Sequence, residues 1–236
     1  FGHAIGLNHQ GAYNYTGSPF TNANDAYFTN DSWQMSVMSY FDQTENTSTN
    51  ASFGYLAGPM IADILAIQDF YGAPGSSGVT AGNTTFGLNS NLGNYLDELF
   101  MALATNSTSA NVSGNDMVYT LYDQGGTDTI DLSFLTGSDP ANINLNDGTF
   151  SDIGTGIDVL GIAVNTMIEN LTTGAGNDTL TGNELNNILN AGNGNDLVLS
   201  GTGNDTTNGG IGNDTLYGGG GNDSISAGNG NDEAFG

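Results

Sequence analysis

The chain of 236 residues carries 25 aspartates and glutamates and no lysine or arginine, a formal charge of −25. A surface of that sign repels phosphate backbones and anionic headgroups, which excludes DNA, RNA and membrane as partners. Cysteine is absent, so no disulfide holds the chain, and no apolar run approaches the roughly 18 residues of a spanning helix.

The first stretch, Phe1-Gly2-His3-Ala4-Ile5-Gly6-Leu7-Asn8-His9, holds both histidines of the protein, six positions apart with a glycine between them. A helix carrying His3 that breaks at Gly6 through a left-handed turn would fold the chain back and present His9 to the same metal. Two core or solvent-facing histidines are the alternative that the spacing alone leaves open. Asp31 to Phe41 reads as an extended approach and a tight turn, with Met38 in the turn and Tyr40 two residues later. A polar connection, 42–57, leads to Pro59 and a helix from Met60 to Gly72. Met60, Ile61, Ile64, Leu65, Ile67 and Phe70 would make its apolar face, packed under the lobe that bears the histidines.

Ala73 to Gly78 is rich in Pro, Gly and Ser and marks a domain boundary, dividing the chain into 1–76 and 77–236. Tyr95 to Ala104 is a candidate short helix. Asp116 to Tyr122 alternates as a strand, and Asp123-Gln-Gly-Gly-Thr-Asp128 is a glycine-acid turn with a strand behind it. Asp128 is a candidate calcium ligand there, with Asp123 or Asp131 as a second. A mixed β region around Ile143 to Asp152 then leads to Ile168-Glu169-Asn170.

From Thr173 to Phe235 the chain repeats every nine residues for seven units. The sixth positions are Asp178, Asn187, Asp196, Asp205, Asp214, Asp223 and Asp232. An apolar residue at or near the eighth position follows in most units: Leu180, Ile188 one place early, Val198, Leu216, Ile225 and Ala234, with Thr207 as the exception. The period is too short for a helical repeat and fits a parallel β-roll, each unit giving a glycine-rich turn and a very short strand.

Glycine accepts φ > 0, so these turns crowd main-chain carbonyls together, and the following carboxylate can complete an all-oxygen shell of the kind calcium takes. The candidate set is Asp178, Asp196, Asp205, Asp214, Asp223 and Asp232, with main-chain oxygens of Gly174, Gly176, Gly192, Gly194, Gly201, Gly203, Gly210, Gly212, Gly219, Gly221, Gly228 and Gly230. Several Ca(2+) ions are expected, and the metal-free roll should be largely disordered because stacked carboxylates repel. A flexible linker of the same composition has no reason to hold phase over seven units.

In their order along the chain, these parts resemble the serralysin-type metzincin zinc metalloproteases. His3, Gly6 and His9 match the second histidine, the glycine and the third histidine of H-E-x-x-H-x-x-G-x-x-H, and Met38 matches the methionine of the Met-turn. The resemblance implies a two-domain fold: the C-terminal part of a metzincin α+β protease domain, then an all-β parallel β-roll. It implies one Zn(2+) held by His3 and His9, with Tyr40 as a further candidate ligand and as the catalytic group that stabilises the tetrahedral intermediate. The first histidine and the general-base glutamate would fall just before Phe1, so residues 1–236 are expected to be an inactive fragment of a secreted, type I-exported bacterial endopeptidase. Protein or peptide substrates, a proteinaceous protease inhibitor as a partner, and a monomeric state follow from the same resemblance. The alternative is a non-catalytic calcium-binding structural or adhesive roll, which the residues upstream of Phe1 would decide. A lipase carrying a similar roll is disfavoured because no Gly-x-Ser-x-Gly elbow occurs.

Overall fold

The computed structural model describes residues 55–56, 59–71, 80–93, 97, 117–154 and 156–236. The candidate zinc ligands, the Met-turn and, apart from Asp97, the expected helix at 95–104 lie outside the described residues. From Asn170 onward the chain alternates between two sheets. Strands β9 (Thr179–Thr181), β11 (Leu197–Leu199), β13 (Thr215–Tyr217) and β15 (Glu233–Phe235) form one end of a nine-stranded sheet. Strands β8 (Asn170–Thr172), β10 (Ile188–Asn193), β12 (Thr206–Ile211) and β14 (Ser224–Asn229) belong to a six-stranded one. Among these strands the pairing within each sheet is parallel and the register joins residues 18 apart, as in Val198↔Leu216 and Thr207↔Ile225. One coil of the roll is therefore two nine-residue units, and neighbours along the sequence face each other across the core.

Leu180, Leu189, Val198 and Leu216 fill the space between the sheets and are fully buried. In the second unit the inward residue is Leu189, at the eighth position, whereas Ile188 faces solvent with 47% of its surface exposed. Successive side chains of a strand point to opposite faces, so only one of the pair can enter the core. Thr207 takes the inward position in its unit, and its hydroxyl shares a 2.8 Å hydrogen bond with the equally buried Ser200. A buried hydroxyl without that partner would cost about 1–3 kcal/mol.

The same sheets extend upstream in less regular form. Strands β2 (Thr85–Gly87) and β4 (Thr129–Asp131) continue the six-stranded sheet in parallel. On the other side β5 (Ala141–Asn144), β6 (Phe150–Ile153) and β7 (Gly156–Ile162) form an antiparallel meander, with β5 parallel to β9. The strand expected at 116–122 is β3 (Met117–Leu121), which pairs with β7 and with β1 (Tyr55–Leu56). Phe86, Ile130, Leu132, Ile143, Leu145, Leu160, Ile162 and Ile168 make this half of the core, continuous with that of the roll.

Helix α1 (Ile61–Tyr71) begins after Pro59, and its start is capped by Asp63, whose carboxylate accepts the Met60 N–H at 2.9 Å. Met60 and Ile61 are buried, with Met60 accepting a bond from the Thr120 hydroxyl of β3 at 3.6 Å. Leu65, placed on the apolar face by its spacing, is 47% exposed. The described contacts of its first turn run to β3 and, through Ile61 beside Gly161, to β7.

Glycine is required where successive turns stack. Gly194, Gly212 and Gly230 have φ of 141°, 145° and 150°. A Cβ on each would run into the carbonyl oxygen of Gly176, Gly194 and Gly212 in the preceding coil. Gly212→Ala should therefore destabilise the calcium-loaded protein by at least the ~1–3 kcal/mol of a strained backbone position. Thermal unfolding of the pair in calcium checks this, and an unchanged midpoint would show that the coils are not in contact there.

Candidate metal centre

The 18-residue register sorts the repeat carboxylates into two columns, one along each line of turns. In the first, Asp178 N–H donates to Asp196 Oδ1, Asp196 N–H to Asp214 Oδ1 and Asp214 N–H to Asp232 Oδ1, at 2.8–3.0 Å. The Ala141 N–H starts that column by donating to Asp178 Oδ1 at 2.8 Å. In the second, Asn187 N–H donates to Asp205 Oδ1 and Asp205 N–H to Asp223 Oδ1. An outer set of asparagines runs the opposite way: Asn177, Asn195 and Asn213 each accept, through Oδ1, the N–H of the asparagine 18 residues later. Each turn is held by its neighbours on both sides.

One oxygen of each aspartate is thereby used, and the other is not. Oδ2 of Asp178, Asp196, Asp205 and Asp214 is buried without a hydrogen-bond partner. A buried carboxylate is ordinarily paired or hydrogen-bonded at both oxygens, and this chain has no lysine or arginine to pair it with. Burial accordingly pushes all four carboxyls above the usual carboxylate range, Asp196 to about 6.

The second column continues upstream beyond the repeats. Thr84, Asp128, Glu169, Asn187, Asp205 and Asp223 each stand one residue before a strand of the six-stranded sheet. Asp128 Oδ1 accepts the Thr84 N–H at 2.6 Å, and Asp128 N–H donates to Glu169 Oε2 at 2.7 Å. Asp123 lies beside Asp128, accepts the Gly125 N–H at 2.6 Å through Oδ2, and donates its own N–H to Thr166. Asp123 Oδ1 and Asp128 Oδ2 are again buried and unpartnered. Burial, reinforced by Asp128 and Glu169 and opposed by the Gly125 N–H, pushes Asp123 up to about 7. Burial also raises Asp128 and Glu169. Asp131, the other candidate, turns outward and caps Ser133 through its N–H and hydroxyl. Glu169 was not singled out from the sequence; the signal for it was its place 18 residues before Asn187.

Among the described residues no three acidic, histidine or cysteine side chains converge on one point. The turns instead bring single carboxylates among main-chain oxygens, such as those of Gly174, Gly176, Gly192 and Gly194, which project onto the next coil. This hard, all-oxygen donor set, with one unshared carboxylate oxygen per aspartate, fits calcium. His3, Gly6, His9, Met38 and Tyr40 lie outside the described residues.

Residues 76–234 match the family described as Peptidase M10 serralysin C terminal. The chain belongs to that family. It is 40% identical over 186 residues to Metallopeptidase AprA of Pseudomonas marginalis, covering 77% of this chain and 35% of that protein. Against Serralysin B of Dickeya chrysanthemi it is 41% identical over 179 residues, covering 76% and 34%. Against Serralysin of Photorhabdus luminescens the identity is 38% over 185 residues, covering 78% and 35%. The chain thus spans about a third of the length of the curated relatives it matches. Membership of the serralysin family supports a secreted, extracellular protein, and the parallel β-roll is the fold of its C-terminal region.

The raised carboxyls set the pH behaviour of the metal-free serralysin roll. Each aspartate among them has a folded pKa above its value of 3.8 in the unfolded chain, and Glu169 above 4.5, so the stabilising contribution is complete below about pH 4 and is lost as pH rises through the folded value. The window set by Asp196 and Asp123 closes at about 6 and about 7. In chelator, β structure followed by circular dichroism should fall between about pH 4 and pH 7. A metal-free roll more ordered at pH 7.5 than at pH 5 would contradict the buried, unpartnered state of these groups.

Proposed function

We propose that this chain is the C-terminal part of a secreted zinc-dependent, calcium-stabilised endopeptidase that hydrolyses peptide bonds in proteins. Residues 1–76 belong to the catalytic domain and 77–236 to the calcium-dependent domain that supports it. The observation that carries the calcium half is the set of buried, unpartnered Oδ2 atoms in a chain without lysine or arginine. Bound calcium supplies the positive charge that lets these carboxylates ionise inside the roll. Asp178, Asp196, Asp205 and Asp214 offer one oxygen each toward it, while their other oxygen holds the N–H of the preceding coil in register. Asp123 and Asp128 likewise leave one oxygen each unpartnered where the roll meets the mixed sheet, and Glu169 holds the Asp128 N–H.

The protease half rests on kinship with metallopeptidases and on the residues at the start of the chain. His3 and His9 offer the imidazole nitrogens that zinc takes, with Met38 beneath the site and Tyr40 near the oxyanion. Zinc, when bound, supplies Lewis-acid polarisation of the scissile carbonyl.

Calcium added to the chelated 236-residue chain at pH 7.5 should restore β structure cooperatively, and spectra unchanged by calcium would end the calcium reading. In a protein extended upstream with the family's first histidine and glutamate, His9→Ala should lose bound zinc and nearly all peptide hydrolysis. Tyr40→Phe should lower kcat more than it raises KM, because a hydroxyl acting on developing charge contributes mainly in the transition state. Full hydrolysis by zinc-depleted His9→Ala would rule out the metallopeptidase. An extended protein that folds with calcium yet never hydrolyses peptides would leave the structural or adhesive role.

A further inference from the structure

We infer that the turn from Gly182 to Asn187 is closed by side-chain amides in place of a cation, forming a calcium-independent seam within the calcium-dependent roll. The inference rests on the reading that the aspartate turns hold calcium, and it concerns the one turn of the repeat that lacks the aspartate. Asn187 is 1% exposed and occupies the second column between Glu169 and Asp205. Where the aspartates leave an oxygen without a partner, Asn187 leaves nothing. Its Oδ1 accepts the Asn183 N–H at 2.9 Å, and its Nδ2 donates to the Glu169 carbonyl and to Asn183 Oδ1, both at 3.0 Å.

Asn183 completes the closure. It stands at the second position of the unit, where the other turns have glycine, and its side chain reaches the carbonyls around it. Its Nδ2 donates to the carbonyls of Ile168 at 2.9 Å and Leu145 at 3.2 Å, and its Oδ1 accepts the Leu185 N–H at 3.0 Å besides the Asn187 amide. A third amide, Asn146 Nδ2, donates to the Gly182 carbonyl at 3.1 Å. The four carbonyls of Leu145, Ile168, Glu169 and Gly182 thus receive amide protons where a metal turn would present oxygens to an ion. All four protons on the Asn183 and Asn187 amides are used. The orientation of Asn187 is fixed, because reversing it would set an N–H against the Asn183 N–H.

The amides that close the turn are neutral and its one carboxylate, Glu184, is exposed, so the closure itself gains nothing from calcium and loses nothing to a chelator. The seam lies between the Asp128–Glu169 pair upstream and Asp205–Asp223 downstream, and its own N–H still donates to Asp205 Oδ1. It therefore keeps the first coil of the roll attached to the mixed sheet without metal and gives the later coils a surface on which to stack.

Two measurements on the 236-residue chain test this. The triple variant Asn183→Gly, Leu185→Gly, Asn187→Asp restores both glycines and the carboxylate of a metal turn. Metal analysis after gel filtration in calcium should find at least one more ion per chain than in the native protein. The native protein in chelator should show hydrogen exchange at least tenfold slower over 182–190 than over 200–208 or 218–226. An unchanged calcium count in a folded triple variant would overturn the proposal, and so would equal exchange over the three segments. A native chain that binds no calcium under any condition would instead remove the reading on which the proposal rests.

Discussion

Every buried carboxylate in this roll needs positive charge from outside the chain, because the sequence contains no lysine or arginine to provide it. The turns spend one oxygen of each aspartate on the N–H of the previous coil and leave the other enclosed and unmatched. Geometry of that kind is tolerable with the proton retained or with a cation present. The remaining features of the molecule are arranged around that choice.

The core cannot make the choice unimportant. One inward aliphatic per nine-residue unit contributes about 1.5–3 kcal/mol, whereas ordering each of the nine backbones costs about 1 kcal/mol or more. Main-chain bonds between coils add modestly, since each replaces a bond to water. The mixed sheet upstream is different. Its meander and the Ile143–Leu160–Ile162 layer form an ordinary hydrophobic core, so dependence on metal should be greater in the repeats than in the mixed sheet.

Much of this was legible in the sequence because the repeat keeps phase. The parallel roll, the strand at Met117–Leu121 and the helix behind Pro59 all follow from period, alternation and breakers. What the nine-residue period concealed was the coil of twice that length. Asp196 does not meet Asp205, its neighbour in the repeat; it meets Asp178 and Asp214. Glu169 escaped notice because it precedes the repeat and has no glycines before it, although it stands in line with Asn187. Ile188 was taken for the inward residue where Leu189 is, a choice between adjacent aliphatics that composition does not decide and strand alternation does. Leu65 fits its helical stripe yet is exposed, because spacing fixes which residues share a face and not how far neighbouring elements cover it.

The 18-residue register also sets how such a protein can change in length. Removing a single unit would carry every later turn to the opposite side of the roll, placing three-residue strands where the six-residue strands β12 and β14 now pair. It would also bring inward-facing Thr207 and Gly209 out of step with their partners. Removing two units returns each side chain to its own column with a like neighbour above and below. A family built on this plan should therefore gain and lose repeats in pairs, with an odd unit accepted only at the open end, where no later coil has to match it.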